Sequence, residues 1–354
     1  MANGAQSLNL NEFRADDEEI ASTDKIGAGQ HLLQQTAGRR FCAPEILYPQ
    51  GRMTMDPENV QAALWRAFGR KKPPERITQE AFDFDTRRLL RLARLTPGES
   101  AEADDLWSYT QDLRYTEIQV PLLEYVLPFC LAAWRDDLLG THSNYGGYVE
   151  QLYPALADKV LRLLNSSQTA AIAEFMRQAI LEEIDSQRGL IYQGMGARPY
   201  RWIAALTSYG VLFEDVARLW AEWWSVGTVG RATAVAQYVS CFMYEDNENP
   251  IFAPWTRDGG GGPPCLWEFA GNMYNHRWLH LNVSFLEKSL NVDDVSSVLK
   301  KAVGKLANEP ELVVASQLLA DLPLCIETIE ARCAELPRLL ETNDQLSRPL
   351  SWSK

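Results

Sequence analysis

Apolar residues recur along most of the chain at the three-to-four-residue spacing of an amphipathic helix. From Trp202 they run Ile203, Leu206, Tyr209, Leu212, Phe213, Val216, Leu219, Trp220, Trp223 and Trp224, with Glu214, Arg218 and Glu222 on the other side. That pattern predicts one helix of more than twenty residues. Glu214 and Arg218 stand as an i,i+4 pair worth about 0.3 kcal/mol. A second run begins at Asn291, whose side chain suits an N-cap. Asp293 and Asp294 fall in its first turn, and Val295, Val298, Leu299, Ala302, Val303 and Leu306 lie along one face. Near the C-terminus Leu322, Ile326, Ile329, Cys333, Leu336 and Leu340 keep the same rhythm. Pro337, which has no N–H to give the ladder, is expected to kink or end that helix.

Weaker helical runs cover 57–69, 79–95, 103–114, 146–164, 168–185 and 228–244, and no run alternates with period two. The class read from this is all-α. Glu117 to Leu139 is apolar nearly all round, as a helix enclosed by others would be. Pro128 is expected to bend it by freeing the carbonyl of Glu124. No fixed internal period appears, so the expected architecture is an irregular multi-helix bundle or a stack of helical hairpins.

Two stretches break the pattern. Residues 1–30 are polar and offer little to bury, which reads as a disordered or loosely ordered N-terminal segment. Residues 244–265, YEDNENPIFAPWTRDGGGGPPC, hold four consecutive glycines and two adjacent prolines and cannot continue a helix. This long loop divides a larger helical layer, 31–243, from a smaller C-terminal one, 266–354. Long loops of this kind are often functional, and this one carries acids and aromatic rings.

Composition narrows the classes. An apolar fraction of 46% with 11 tryptophans in 354 residues is globular. Six cysteines without a CxxC motif read as reduced, buried thiols rather than a disulfide framework. Met1 to Phe13 has neither a basic start nor an apolar run, so a cytoplasmic location is expected. The most apolar stretch, Val120 to Trp134, carries Glu124 and two prolines and is too short to cross a bilayer.

Charge is uneven. Lys and Arg total 34 against 47 Asp and Glu, a net −13. Residues 66–94 nevertheless hold nine basic and four acidic side chains, which leaves the remainder at −18. Such a surface repels nucleic acid and attracts basic proteins. The basic stretch is expected to dock on the acidic remainder or to solvate a helical face.

The stretch AGNMYNHRWLH, 270–280, holds two of the four histidines, His276 and His280, spaced as helical metal ligands often are. Arg277 occupies the place of the glutamate in HExxH proteases. Its charge opposes a dication, so these histidines read as structural or partner-facing and no metal is expected. Gly194 and Gly196 lack the third glycine of a nucleotide loop, the glycines at 259–262 lack a following Lys-Ser/Thr, and GxSxG is absent. No catalytic set and no cofactor is expected.

Two resemblances remain. Asp136 and Asp137, with DDVSSVLKK at 293–301, resemble the two magnesium-binding acidic motifs of class I terpene synthases. The likeness departs at Gly140, where the first motif has an acid, and at Lys301, where the second has a glutamate. An ammonium there opposes a magnesium site, and helix N-terminal acids account for Asp293 and Asp294 without metal. The other resemblance rests on VQAALWRAFG (60–69) and YVLPFCLAAWRDDL (125–138), within residues 57–140. These phrases are similar to helical bacterial proteins encoded near polymorphic toxins. That likeness implies an immunity-type role, in which a cytoplasmic protein occludes the active site of a basic toxin. An inhibitor needs anchors and complementary charge rather than a catalytic set. The residues expected to contact such a partner are Glu245, Asp246, Glu248, Phe252 and Trp255 of the loop, with Trp267, His276 and His280 beside it.

Overall fold

The computed structural model describes residues 57–69, 71–82, 85–96, 101–140, 148–190, 201–244, 248–251 and 277–342. The N-terminal segment read as disordered and most of the 244–265 loop lie outside the described residues. Within them the chain is all-α, as the periodicity predicts, with no strand. The helices are α1 (Pro57–Ala67), α2 (Thr86–Leu92), α3 (Ala103–Tyr115), α4 (Val120–Leu138), α5 (Tyr148–Asp158), α6 (Ser166–Ser186) and α7 (Arg201–Leu212). They continue with α8 (Val216–Trp224), α9 (Val229–Met243), α10 (His280–Ser289), α11 (Val292–Lys305), α12 (Leu312–Asp321) and α13 (Ile326–Thr342).

Several starts follow from local chemistry. Asn165 opens α6 with a capping box in which its side chain accepts from Gln168 N and the Gln168 side chain accepts from Asn165 N. Asn291 caps α11 as its sequence predicts, accepting from Asp294 N at 3.0 Å.

Packing is organised by α6 and α9. Helix α6 packs on α1, α4, α7, α8 and α9, while α9 packs on α8, α11, α12 and α13. Gly230 permits the α6–α9 approach, because a Cβ there would fall 2.1 Å from the carbonyl oxygen of Asp185. Asp185 also accepts both Nε and Nη2 of Arg231 and the hydroxyl of Thr228, which locks the crossing. The expected central helix, α4, is buried along most of its length, and Pro128 lies within it. Helix α9 is enclosed more completely, with every residue from Ala232 to Met243 buried. One hydrophobic core runs from Val60 to Leu340 and joins the helices on either side of the 244–265 loop.

Four expectations need correction. The predicted helix over 202–224 is two helices, with a break at Phe213–Asp215. There Asn282 donates to the carbonyls of Gly210 and Phe213 and accepts from Val216 N, so a side chain distant in sequence completes the backbone bonds that the break leaves open. Arg218 accordingly pairs with Glu174 and Glu222 rather than with Glu214. In 79–95 only Thr86–Leu92 is helical, because Gln79 and Phe82 are bound in an extended segment to α3 and α4. The run 146–164 ends as α-helix at Asp158 and continues as a 3-10 turn, Val160–Leu163. Pro337 lies inside α13 without ending it, and Leu336 and Leu340 on either side are buried.

Candidate functional site

The sequence points to the loop after α9, and the described residues show how the chain is fixed before and after residues 252–276. At the first end Tyr244 closes α9, and its hydroxyl donates to Asp321 Oδ2 at 2.7 Å. Burial, followed by this carboxylate, pushes the Tyr244 phenol up, so it is a protonated donor at neutral pH. The Arg332 guanidinium donates to the carbonyls of Cys241 and Tyr244, placing a cation on the electronegative end of α9. Asn249 reaches back to Ser240 Oγ at 2.9 Å and accepts from Ile251 N at 3.0 Å, and Ile251 is fully buried.

At the other end Trp278 N donates to Leu340 O at 3.0 Å and Leu279 N to Gly210 O at 3.1 Å. The Trp278 indole lies over Gly210, where a Cβ would fall 2.4 Å from the ring. Arg332 and Leu340 belong to the same helix, α13, eight residues apart, which is about 12 Å along the axis. One helix therefore carries both anchors.

Of the residues the sequence singles out, Glu248 is exposed at the first anchor. His280 is exposed at the second, its side chain 79% accessible and Nδ1 3.7 Å from Glu341 Oε1. Glu245, Asp246, Phe252, Trp255, Trp267 and His276 lie outside the described residues. The helical pairing of His276 with His280 is corrected: Arg277–Leu279 are not helical, and His280 is the first residue of α10. The extended stretch spends its N–H groups on Leu340 and Gly210 instead of on a helical ladder. Sequence reasoning missed Arg332, Asp321, Asn282 and Glu341, whose partners are tens of residues away and leave no local signal.

The other candidate groups resolve as follows. Asp137 is buried, and Asp136 lies 3.9 Å from Arg135, which forms a forked pair with Glu182. Asp294 accepts from the Asn291 side chain at 2.6 Å. The acidic pairs sit on α4 and at the start of α11. Among the described residues no three His, Cys, Asp or Glu side chains gather as a metal set. Cys130, Cys241 and Cys333 are buried thiols, and burial pushes Cys333 up to about 12, away from thiolate chemistry.

Part of the basic stretch is paired at the surface of the fold, while Arg66, Lys72, Arg76 and Arg94 are exposed. Arg91 forks onto Asp105 at 2.7 and 2.6 Å, Arg88 reaches Ser108 and Asp104 O, and Lys71 pairs with Glu124. Trp202, Trp220, Trp223, Trp224 and Tyr238 form a ring cluster, with Trp202 and Trp223 centroids 4.9 Å apart. These rings are core rather than contact surface. Compared with protein families, curated proteins and solved structures, the chain matches none. What the described residues define is an all-α, multi-helix fold.

Proposed function

We propose that this chain is a cytoplasmic protein-binding protein, an immunity-type inhibitor that neutralises a basic toxin or enzyme by covering its active site with the 244–265 loop. The observation that supports the reading is that the chain is held on α13 on both sides of residues 252–276, by Arg332 at the end of α9 and by Leu340 at Trp278. A segment whose ends are already held gives up less conformational freedom on binding, so more of its contact energy appears as affinity. Glu245, Asp246 and Glu248 belong to that loop, in a chain of net charge −13. Their field accelerates encounter with a basic surface and orients it. No single helix among the described residues is long and apolar enough to cross a membrane.

The test is direct binding to the product of the neighbouring gene, measured with the wild type and with Glu245→Lys/Asp246→Lys/Glu248→Lys. Affinity should fall at least about tenfold in the variant and should weaken with salt in the wild type. Equal affinity would remove the loop from the interface.

A further inference from the structure

Remote from that loop, residues Lys71–Phe82 form a non-helical strap across α3 and α4. Its middle is held by an amide exchange: Thr78 N and Gln79 N donate to Gln119 Oε1, Gln119 N donates to Gln79 Oε1, and Gln119 Nε2 donates to Arg76 O. Its first residue, Lys71, pairs with Glu124. Its last, Phe82, donates its N–H to Asp112 Oδ1 at 2.6 Å, while its ring stacks on Tyr115 with centroids 4.5 Å apart.

Asp112 is out of place as a carboxylate. Its residue is 1% exposed, and among the described residues the Phe82 N–H is the one donor to its side chain. A buried carboxylate holds its charge when several donors or a cation face it, and among the described residues Asp112 has neither. The charged groups on the surrounding elements are directed elsewhere. On α2, Arg91 is forked to Asp105 and Arg88 reaches Ser108. Beside α5, Asp158 faces Arg114, and Lys159 donates to Thr116 O. On α4, Glu124 takes Lys71, and on α3 the neighbouring titratable group is the buried Tyr109 phenol. On the strap, Lys72, Glu75, Arg76 and Glu80 are exposed.

We propose that Asp112 makes the strap a pH-gated latch, seated while the carboxyl is protonated and loosened as it ionises. Burial, only partly opposed by the Phe82 N–H, pushes Asp112 up to about 6. With the strap lifted, water reaches the carboxyl and its affinity for a proton returns toward the ordinary value of about 3.9. The seated state therefore binds the proton more tightly, and raising the pH shifts the balance toward the lifted state. Between pH 5 and pH 8 the ratio of seated to lifted strap falls about tenfold. Lifting also parts Phe82 from Tyr115, so the latch controls whether this exposed ring pair is assembled.

The experiment is amide hydrogen exchange of the full chain from pH 5 to pH 8, corrected for the intrinsic exchange rate and followed in peptides over 71–82 and, as a reference, 166–186. The expected result is protection in 71–82 that drops about tenfold across the range while 166–186 is unchanged. In Asp112→Asn, whose amide oxygen still accepts from Phe82, protection should be independent of pH. A wild-type strap with flat protection, or an equal slope in Asp112→Asn, overturns the proposal. If the variant does not fold, carbon NMR titration of the wild-type carboxyl replaces it. A midpoint near 6 that coincides with the loss of protection supports the latch, and a midpoint in the ordinary aspartate range overturns it.

Discussion

The side-chain amide of Asn282 lies 2.6 Å from the carbonyl oxygen of Phe213, at the point where the backbone of α7 gives out. The same amide donates to Gly210 O, and its oxygen accepts from Val216 N as α8 begins. One buried side chain thus serves the end of one helix and the start of the next. It also ties α10, which follows the candidate loop, to the core.

Asn282→Ala leaves the Phe213 carbonyl and the Val216 N–H without their buried partner, while Gly210 O keeps Leu279 N. The expected loss is about 3 kcal/mol of stability, read by urea denaturation. A loss below about 1 kcal/mol would mean that water takes over these groups.

The all-α class and most helices were legible because burial on one face imposes its period on the sequence, whereas His280–Ser289 and Leu312–Asp321 fell in none of the predicted runs. Asn291 announced its own cap. The break at Phe213–Asp215 was not legible, since apolar spacing continues straight through it and its cause, Asn282, lies almost seventy residues away. The strap at 79–82 was misread for the same reason: Gln119 and Asp112, not local spacing, decide its conformation. In the candidate site, the exposed acid Glu248 and His280 were visible as residue types. The anchors Arg332, Tyr244–Asp321 and Gly210–Trp278 exist only as tertiary pairs.

Gly210→Ala drives a methyl group into the indole of Trp278, a residue fixed through its backbone N–H to Leu340 O. Overpacking of this kind costs about 1–3 kcal/mol. It should also displace the second loop anchor, so amide exchange at Trp278 and Leu279 should rise more than in α6. Uniform destabilisation without that local rise would separate this contact from the anchor.

Arg177 is 1% exposed and donates to Glu174 and Glu222. Its removal as Arg177→Ala leaves Glu174 and Glu222 to share Arg218 alone and is expected to cost about 1.5–3 kcal/mol. Combining Arg177→Met with Glu174→Gln and Glu222→Gln removes the unbalanced charge and should restore much of the loss. Thermal denaturation of both variants checks this, and equal melting temperatures would show that charge burial is not the cause.

Asp112 gives stability its own pH dependence. Its folded-state value, about 6, lies above the ordinary 3.8, so ionisation costs stability as pH rises from roughly 4 to 6, and the cost persists above that. Asp112→Asn should therefore stabilise the protein at pH 7.5, by up to about 3 kcal/mol, and by much less at pH 4. Destabilisation by a similar amount at both pH values would show that the carboxylate is paired.

The measurement that bears most directly on the proposed inhibitor role is calorimetric titration of the neighbouring gene's product with this chain, wild type and Glu245→Lys/Asp246→Lys/Glu248→Lys, at two salt concentrations. The account predicts stoichiometric, salt-sensitive binding that the three lysines weaken at least about tenfold while the melting temperature is unchanged. Absent binding, or binding indifferent to both salt and the three substitutions, would contradict it.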